Sequence, residues 1–208
     1  MNVKNKNILF LSPHPDDVEL HCSGLIQLLQ PANKVYILTI SNCKESIPKE
    51  LDENIILQEY SNVMNFINPF FYEMLDFPVR RFNENRQVIL EYFVAINKAT
   101  HFDYVFFPPE NDFHQDHKTI YNESIRAFQK SNLVTYDTFN TQEKEWNYIV
   151  NIPEDIMERK LELISKYKSQ FSKKYFDLDF IKANMMAIGK LANFKYAEIF
   201  KMKKIIQW

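Results

Sequence analysis

Apolar residues along this chain follow two rhythms. Short unbroken runs rich in branched and aromatic side chains, NILFLS at 7–12, KVYILTIS at 34–41 and DYVFFPP at 103–109, read as strands buried on both faces. Between them the spacing becomes helical. Leu51, Ile55, Tyr60, Met64 and Ile67 recur near a period of about 3.6 residues over 51–67, and Val88, Tyr92 and Ile96 do the same over 84–99. Strands alternating with helices predict a parallel sheet covered on both faces. The second half adds LVTYDTF and WNYIVNIP as strands, a helix opening near Pro153 in PEDIMERKLELISKYKSQF, and YAEIFKMKKII as a late strand. The basic FKMKKII is expected to be the solvated face of an edge strand. With no linker, repeat or low-complexity tract, the expected architecture is α/β: a single Rossmann-like domain over 1–208, with a mostly parallel sheet flanked by helices.

Composition narrows the function classes. A chain of 208 residues, 46% of them hydrophobic, can bury one substantial core. A formal net charge of -2 gives no general attraction to nucleic acid or anionic lipid, so a nucleic-acid partner is not expected. Two glycines in the whole chain exclude the GxGxxG and GxxxxGK[ST] phosphate loops. The opening MNVKNKNILF has only a four-residue apolar run, short of a signal peptide's core, and no run approaches membrane-spanning length. Cys22 and Cys43 are too few for a disulfide framework and lack CxxC spacing, so they are expected to be small buried hydrophobes in a cytoplasmic protein. The sequence does not encode an oligomeric state that can be read directly.

Chemistry concentrates in two places. In an open α/β sheet, ligands sit beyond the carboxyl ends of the strands. PHPDD (13–17) follows the first strand and PPENDFHQDH (108–117) follows the strand at 103–107, so both should open onto one crevice. Together they supply His14, His114 and His117 with Asp16, Asp17, Asp112 and Asp116. Imidazole and carboxylate suit zinc, and a catalytic zinc keeps three protein ligands and an open position. His14 and Asp17, three apart on a proline-stiffened turn, can chelate as a pair, with His117 completing the site. A metal would also compensate the crowded carboxylates. The competing reading is that PxDD is only a helix N-cap. His21 and His101 read as surface or packing residues. Arg80 and Arg81 suit either an anion clamp or a solvated loop.

PHPDDVE (13–19) with DFHQDH (112–117) resembles the PIG-L/LmbE family of zinc-dependent N-deacetylases, whose motifs take the forms (A/P)HPDDE and (D)xHxDH. LTIS at 38–41, Glu59, KYKSQF at 166–171 and YAEIF at 196–200 extend the resemblance along most of the chain. Two features depart from it: Glu19 comes one residue later than the Glu of HPDDE, and HCSG at 21–24 replaces a glycine-rich stretch. The resemblance implies that His14, Asp17 and His117 hold Zn²⁺, which acidifies a water and polarises an amide carbonyl. It implies Asp16 as general base, and His114 as the group that stabilises the oxyanion as imidazolium and protonates the leaving amine. Asp116 is expected to orient His114 by hydrogen bonding. The implied reaction is hydrolysis of the N-acetyl group of an amino sugar, an N-acetylglucosamine-type conjugate in carbohydrate metabolism, releasing acetate and a free amine. Two alternatives stand beside it: a zinc hydrolase of another amide or of a phosphoester, and a catalytically silent sugar-binding relative. Against the phosphoester reading, the sequence lacks the extra ligand sets that two-metal phosphoesterases need.

Overall fold

A computed structural model describes residues 3–48, 50–52, 54–141 and 145–206. The apolar run Asn7–Ser12 is strand β1, which leads into helix α1 (Asp17–Leu29). Then follow β2 (Lys34–Thr39), α2 (Ile55–Ile67), β3 (Phe71–Met74), α3 (Arg86–Ala99), β4 (Tyr104–Phe107) and α4 (Gln115–Ala127). The second half holds β5 (Asn132–Tyr136), β6 (Tyr148–Asn151), α5 (Glu154–Ile164), α6 (Leu178–Lys190) and β7 (Ala197–Lys204). The strands form one sheet in the order β3-β2-β1-β4-β5-β7-β6. From β3 to β5 every pairing is parallel, while β7 runs antiparallel to both β5 and β6.

Alternation along β1 explains why the sheet needs cover on both sides. Ile8 and Phe10 point into one core, with α1, α2, α5 and α6; Leu9 and Leu11 point into the other, with α3 and α4. A strand whose four middle residues, Ile8–Leu11, are all apolar therefore sits in the interior of the sheet. The chain winds outward from β1 through β2 and β3, then restarts on the other side with β4 and β5. The switch point lies between β1 and β4. At such a point the loops leaving the two strands diverge and open a crevice.

Two details of the sequence reading are corrected here. FKMKKII does not form the outer strand of the sheet: β7 lies between β5, which pairs with Phe200–Lys204, and β6, which pairs with Ala197–Phe200 and takes the edge. The buried face of α3 is Ile89, Leu90 and Phe93, while Val88 is 56% exposed, so the helix is rotated about one residue from the expected face. Cys22 and Cys43 are both buried and unpaired, as small hydrophobes should be. Among the described residues no helix is long and apolar enough to cross a membrane.

Candidate active site

PHPDD leaves the carboxyl end of β1 and immediately turns into α1. Ser12 makes that turn: its hydroxyl donates to the His14 carbonyl at 2.6 Å and accepts the Val18 N–H at 3.2 Å. The Asp16 side chain makes no capping hydrogen bond, which removes the simple N-cap reading of this residue. Asp16 instead takes φ 109° and ψ -30°, a conformation that costs a side-chain-bearing residue energy and is tolerated where the surroundings enforce it. Its carboxylate is buried.

His117, from the first turn of α4, meets the same turn. His14 Nδ1 lies 3.1 Å from Asp17 Oδ2, His117 Nε2 lies 3.2 Å from that oxygen, and the two ring nitrogens are 3.4 Å apart. A tetrahedral ion with ligands about 2.0–2.1 Å from its centre needs them roughly 3.3 Å from each other. The triangle therefore has the edge length of a zinc site. The three imidazoles His14, His114 and His117 also gather, within 4.8 Å, but more loosely.

Both histidines of the triangle are held from behind by carboxylates. The second nitrogen of His14, Nε2, is 3.1 Å from Asp116 Oδ2, and that of His117, Nδ1, is 2.8 Å from Asp112 Oδ2. Each contact puts the ring proton on the far nitrogen and leaves the inner one free to ligate. Asp112 is fixed in turn by the Thr138 hydroxyl at 2.6 Å and the His114 N–H at 2.7 Å, and Asp116 by the N–H groups of Arg80 at 2.6 Å and Phe82 at 3.3 Å. Burial opposes ionisation of both carboxyls, yet these hydrogen bonds hold them below the ordinary range. Burial likewise opposes charging His117, but Asp17 and Asp112 outweigh it and lift the ring to about 10. The donor set draws positive charge, as a cation site must.

The expected partnership of Asp116 with His114 is altered. Its carboxylate faces His14, and only its backbone N–H reaches His114, donating to Nδ1 at 3.2 Å. Asp116 therefore orients a proposed ligand with its side chain. With Nδ1 accepting, His114 carries its proton on Nε2. Burial, ahead of the His14 and His117 rings beside it, lowers its pKa to about 4.

A cleft of about 270 Å³ opens over these groups. Loops from the carboxyl ends of several strands line it, with aliphatic Ile47, Leu51 and Ile55 among one set of residues and polar Asn140, Ser169 and Gln170 among another. Residue reading missed several of the walls. His21 lines the cleft, its ring stacked on Tyr136 and edge-on to Phe139. Glu59 accepts the N–H and hydroxyl of Ser169 at 2.9 and 2.6 Å and so fixes the segment carrying Gln170 and Lys173. Asp112 was visible in the motif, but its role behind His117 becomes clear only in three dimensions. Arg81 pairs with Glu84 at the surface, whereas Arg80 reaches the site through its backbone N–H. His101 is exposed.

Residues 9–128, more than half of the chain, match the family model described as PIG-L, GlcNAc-PI de-N-acetylase. No protein of curated function matches the chain in sequence. Solved structures share its fold, among them the following three. A conserved protein of Thermus thermophilus superposes with TM-score 0.79 at 19% identity, covering 98% of this chain and 97% of that one. The N,N'-diacetylchitobiose deacetylase of Pyrococcus horikoshii gives 0.76 at 21%, covering 94% and 83%. GalB, the 4-carboxy-2-hydroxymuconate hydratase of Pseudomonas putida, gives 0.77 at 13%, covering 98% and 98%.

Proposed function

The chain belongs to the PIG-L family, and from that premise we propose that it is a zinc-dependent deacetylase that removes the N-acetyl group of an N-acetylglucosamine-type conjugate. The observation that carries this reading is the convergence of His14 Nδ1, Asp17 Oδ2 and His117 Nε2 at 3.1–3.4 Å beside the buried carboxylate of Asp16. In this reading those three residues hold the ion, and Asp112 and Asp116 fix the tautomer and orientation of its two histidines. When bound, a divalent ion there supplies a Lewis acid that polarises the amide carbonyl and lowers the pKa of a water.

The chain's own groups supply the rest. Asp16 takes a proton from the attacking water as the new C–O bond forms. His114, neutral with its proton on Nε2, donates that N–H to the oxygen as negative charge develops on it. Delivering the proton from neutral His114 would leave an imidazolate, so the proton taken by Asp16 is the one that goes to the departing amine as the C–N bond breaks. Acetate and the free amino sugar leave. Asn140, Ser169 and Gln170 offer amide and hydroxyl groups suited to sugar hydroxyls. Two free, buried cysteines accord with a reducing compartment, and we assign the protein a cytoplasmic setting on that ground.

The fold itself serves both the Pyrococcus deacetylase and the Pseudomonas hydratase, so it does not decide the reaction. Metal analysis together with acetate and amine release from a panel of N-acetylated sugars and glycoconjugates does. The expected result is about one zinc per chain, by the three-ligand pattern, and stoichiometric acetate and amine from at least one N-acetylglucosamine conjugate. Zinc with hydration of an unsaturated acid and no amide cleavage would replace this reading.

A further inference from the structure

The carboxylate assigned as general base is held by an unexpected residue. Asp16 is 4% exposed, caps no helix end, and sits on a backbone that does not by itself favour this conformation. Among the described residues its carboxylate has one hydrogen-bonding partner, the ammonium of Lys173 at 3.4 Å. Among the described residues Lys173 is the one lysine or arginine lining the cleft, and its ammonium also lies 5.6 Å from the centre of the Tyr175 ring.

The segment that carries Lys173 is tied down at several points. After α5 the chain folds through a tight turn in which the Gln170 N–H donates to the Tyr167 carbonyl at 3.0 Å and the Lys173 N–H to the Gln170 carbonyl at 2.9 Å. Two buried glutamates fix that turn to the core: Glu19 accepts the Tyr167 hydroxyl at 3.1 Å, and Glu59 accepts both donors of Ser169. A lysine on a loose loop would lose the entropy of its long stem for a solvent-screened contact. Here the backbone is fixed, and the partner is a buried carboxylate that needs a counter-charge.

We propose that Lys173 is a positioning residue for the reaction, holding the Asp16 carboxylate in the cleft where it can take the proton. This rests on the reading of Asp16 as general base. Lys173 acts through Asp16, whose carboxylate it contacts.

The test compares Lys173→Met, Lys173→Ala and Lys173→Arg with Asp16→Asn and the double variant Asp16→Asn/Lys173→Met, all assayed as zinc-loaded enzyme on a substrate found by the panel. Lys173→Met should keep its metal content and lower kcat roughly 10- to 100-fold, as misplacing a catalytic group does, with KM little changed. Lys173→Arg should recover most of kcat. Added methylammonium should restore part of kcat to Lys173→Ala and none to Asp16→Asn. In the Asp16→Asn background the Lys173→Met change should have no further effect, because the group it positions is gone. Wild-type kcat in Lys173→Met would overturn the proposal, as would the same fractional loss with and without Asp16. A loss confined to KM would also overturn it, and would make Lys173 a substrate contact. Full activity in Asp16→Asn would instead overturn the general-base reading beneath it.

Discussion

Asp16 is placed at a cost. At φ 109° its side chain strains against its own backbone, a penalty on the order of 1–3 kcal/mol, and its carboxylate is buried beside a second acid, Asp17. Burial, more than the neighbouring acid, pushes its pKa up to about 6 against the pull of Lys173. A residue kept for stability alone would not be held this way. Asp16→Gly should therefore raise stability by roughly 1 kcal/mol in urea unfolding, since glycine adopts this conformation freely, while turnover falls roughly 10²-fold or more with loss of the base. Loss of stability in that variant would show that the turn is not strained. Asp112 and Asp116 act one layer further out. Asp112→Asn leaves a hydrogen-bond acceptor for His117 Nδ1 but removes the charge that makes its ring a better ligand. Competition against a chelator should give zinc affinity lower by about 10- to 100-fold, with the metal still bound at high zinc concentration.

At the scale of elements, α1 shows how helix preference and packing compete. Gly24 lies in the middle of the helix, where alanine would ordinarily stabilise by about 1 kcal/mol. A Cβ there would stand 2.7 Å from Glu198 Oε1, because the Glu198 carboxylate accepts the N–H groups of Gly24 and Leu25 and pairs with buried Lys160 at 2.6 Å. Gly24→Ala should thus destabilise by about 1–3 kcal/mol, read as a lower thermal midpoint; a higher midpoint would mean that the Glu198 side chain moves aside at little cost. Glu198 itself belongs to YAEIF, so the late strand reaches back to support the first helix. Legibility in the sequence followed the range of each interaction. β1 was readable to the residue because burial on both faces leaves a continuous apolar run, and the two His/Asp clusters were readable because each hangs on the end of such a strand. Neighbours across the sheet were not: nothing local in FKMKKII says that β7 lies between β5 and β6. Its lysines mislead for a physical reason, since Lys201 and Lys203 reach out to Glu145 and Glu110 while the backbone there pairs with β5 and β6 joins only the first half of β7. The α3 face was displaced because Val88 fits the helical period yet points to solvent, and the period alone does not say which of two adjacent stripes meets the sheet. Lys173 was missed because its partner lies 157 residues away.

Over the whole molecule, one buried acid beside the site, Glu19, ties stability to pH in a direction opposite to the common one. Glu19 is fully buried under α1, takes one hydrogen bond from Tyr167, and has no partner for its Oε2 among the described residues. Burial pushes its pKa from 4.5 up to about 8, so the folded protein keeps a proton that the unfolded chain has lost. Its contribution to stability is therefore fully present below about pH 4.5 and falls as pH rises towards about 8, with a slope on the order of 1.4 kcal/mol per pH unit at its steepest. Asp16, raised to about 6, and His117, raised to about 10, contribute in the same sense over windows that overlap it, so the wild-type curve alone does not isolate Glu19. The difference between wild type and Glu19→Gln does, because glutamine keeps the shape and the acceptor for Tyr167 without a titrating proton. With both proteins in the same metal state, urea unfolding between pH 5 and 8 should show the Glu19→Gln variant gaining on wild type as pH rises. Parallel curves across that range would mean that Glu19 titrates normally, and that water or a rearranged Tyr167 reaches its second oxygen.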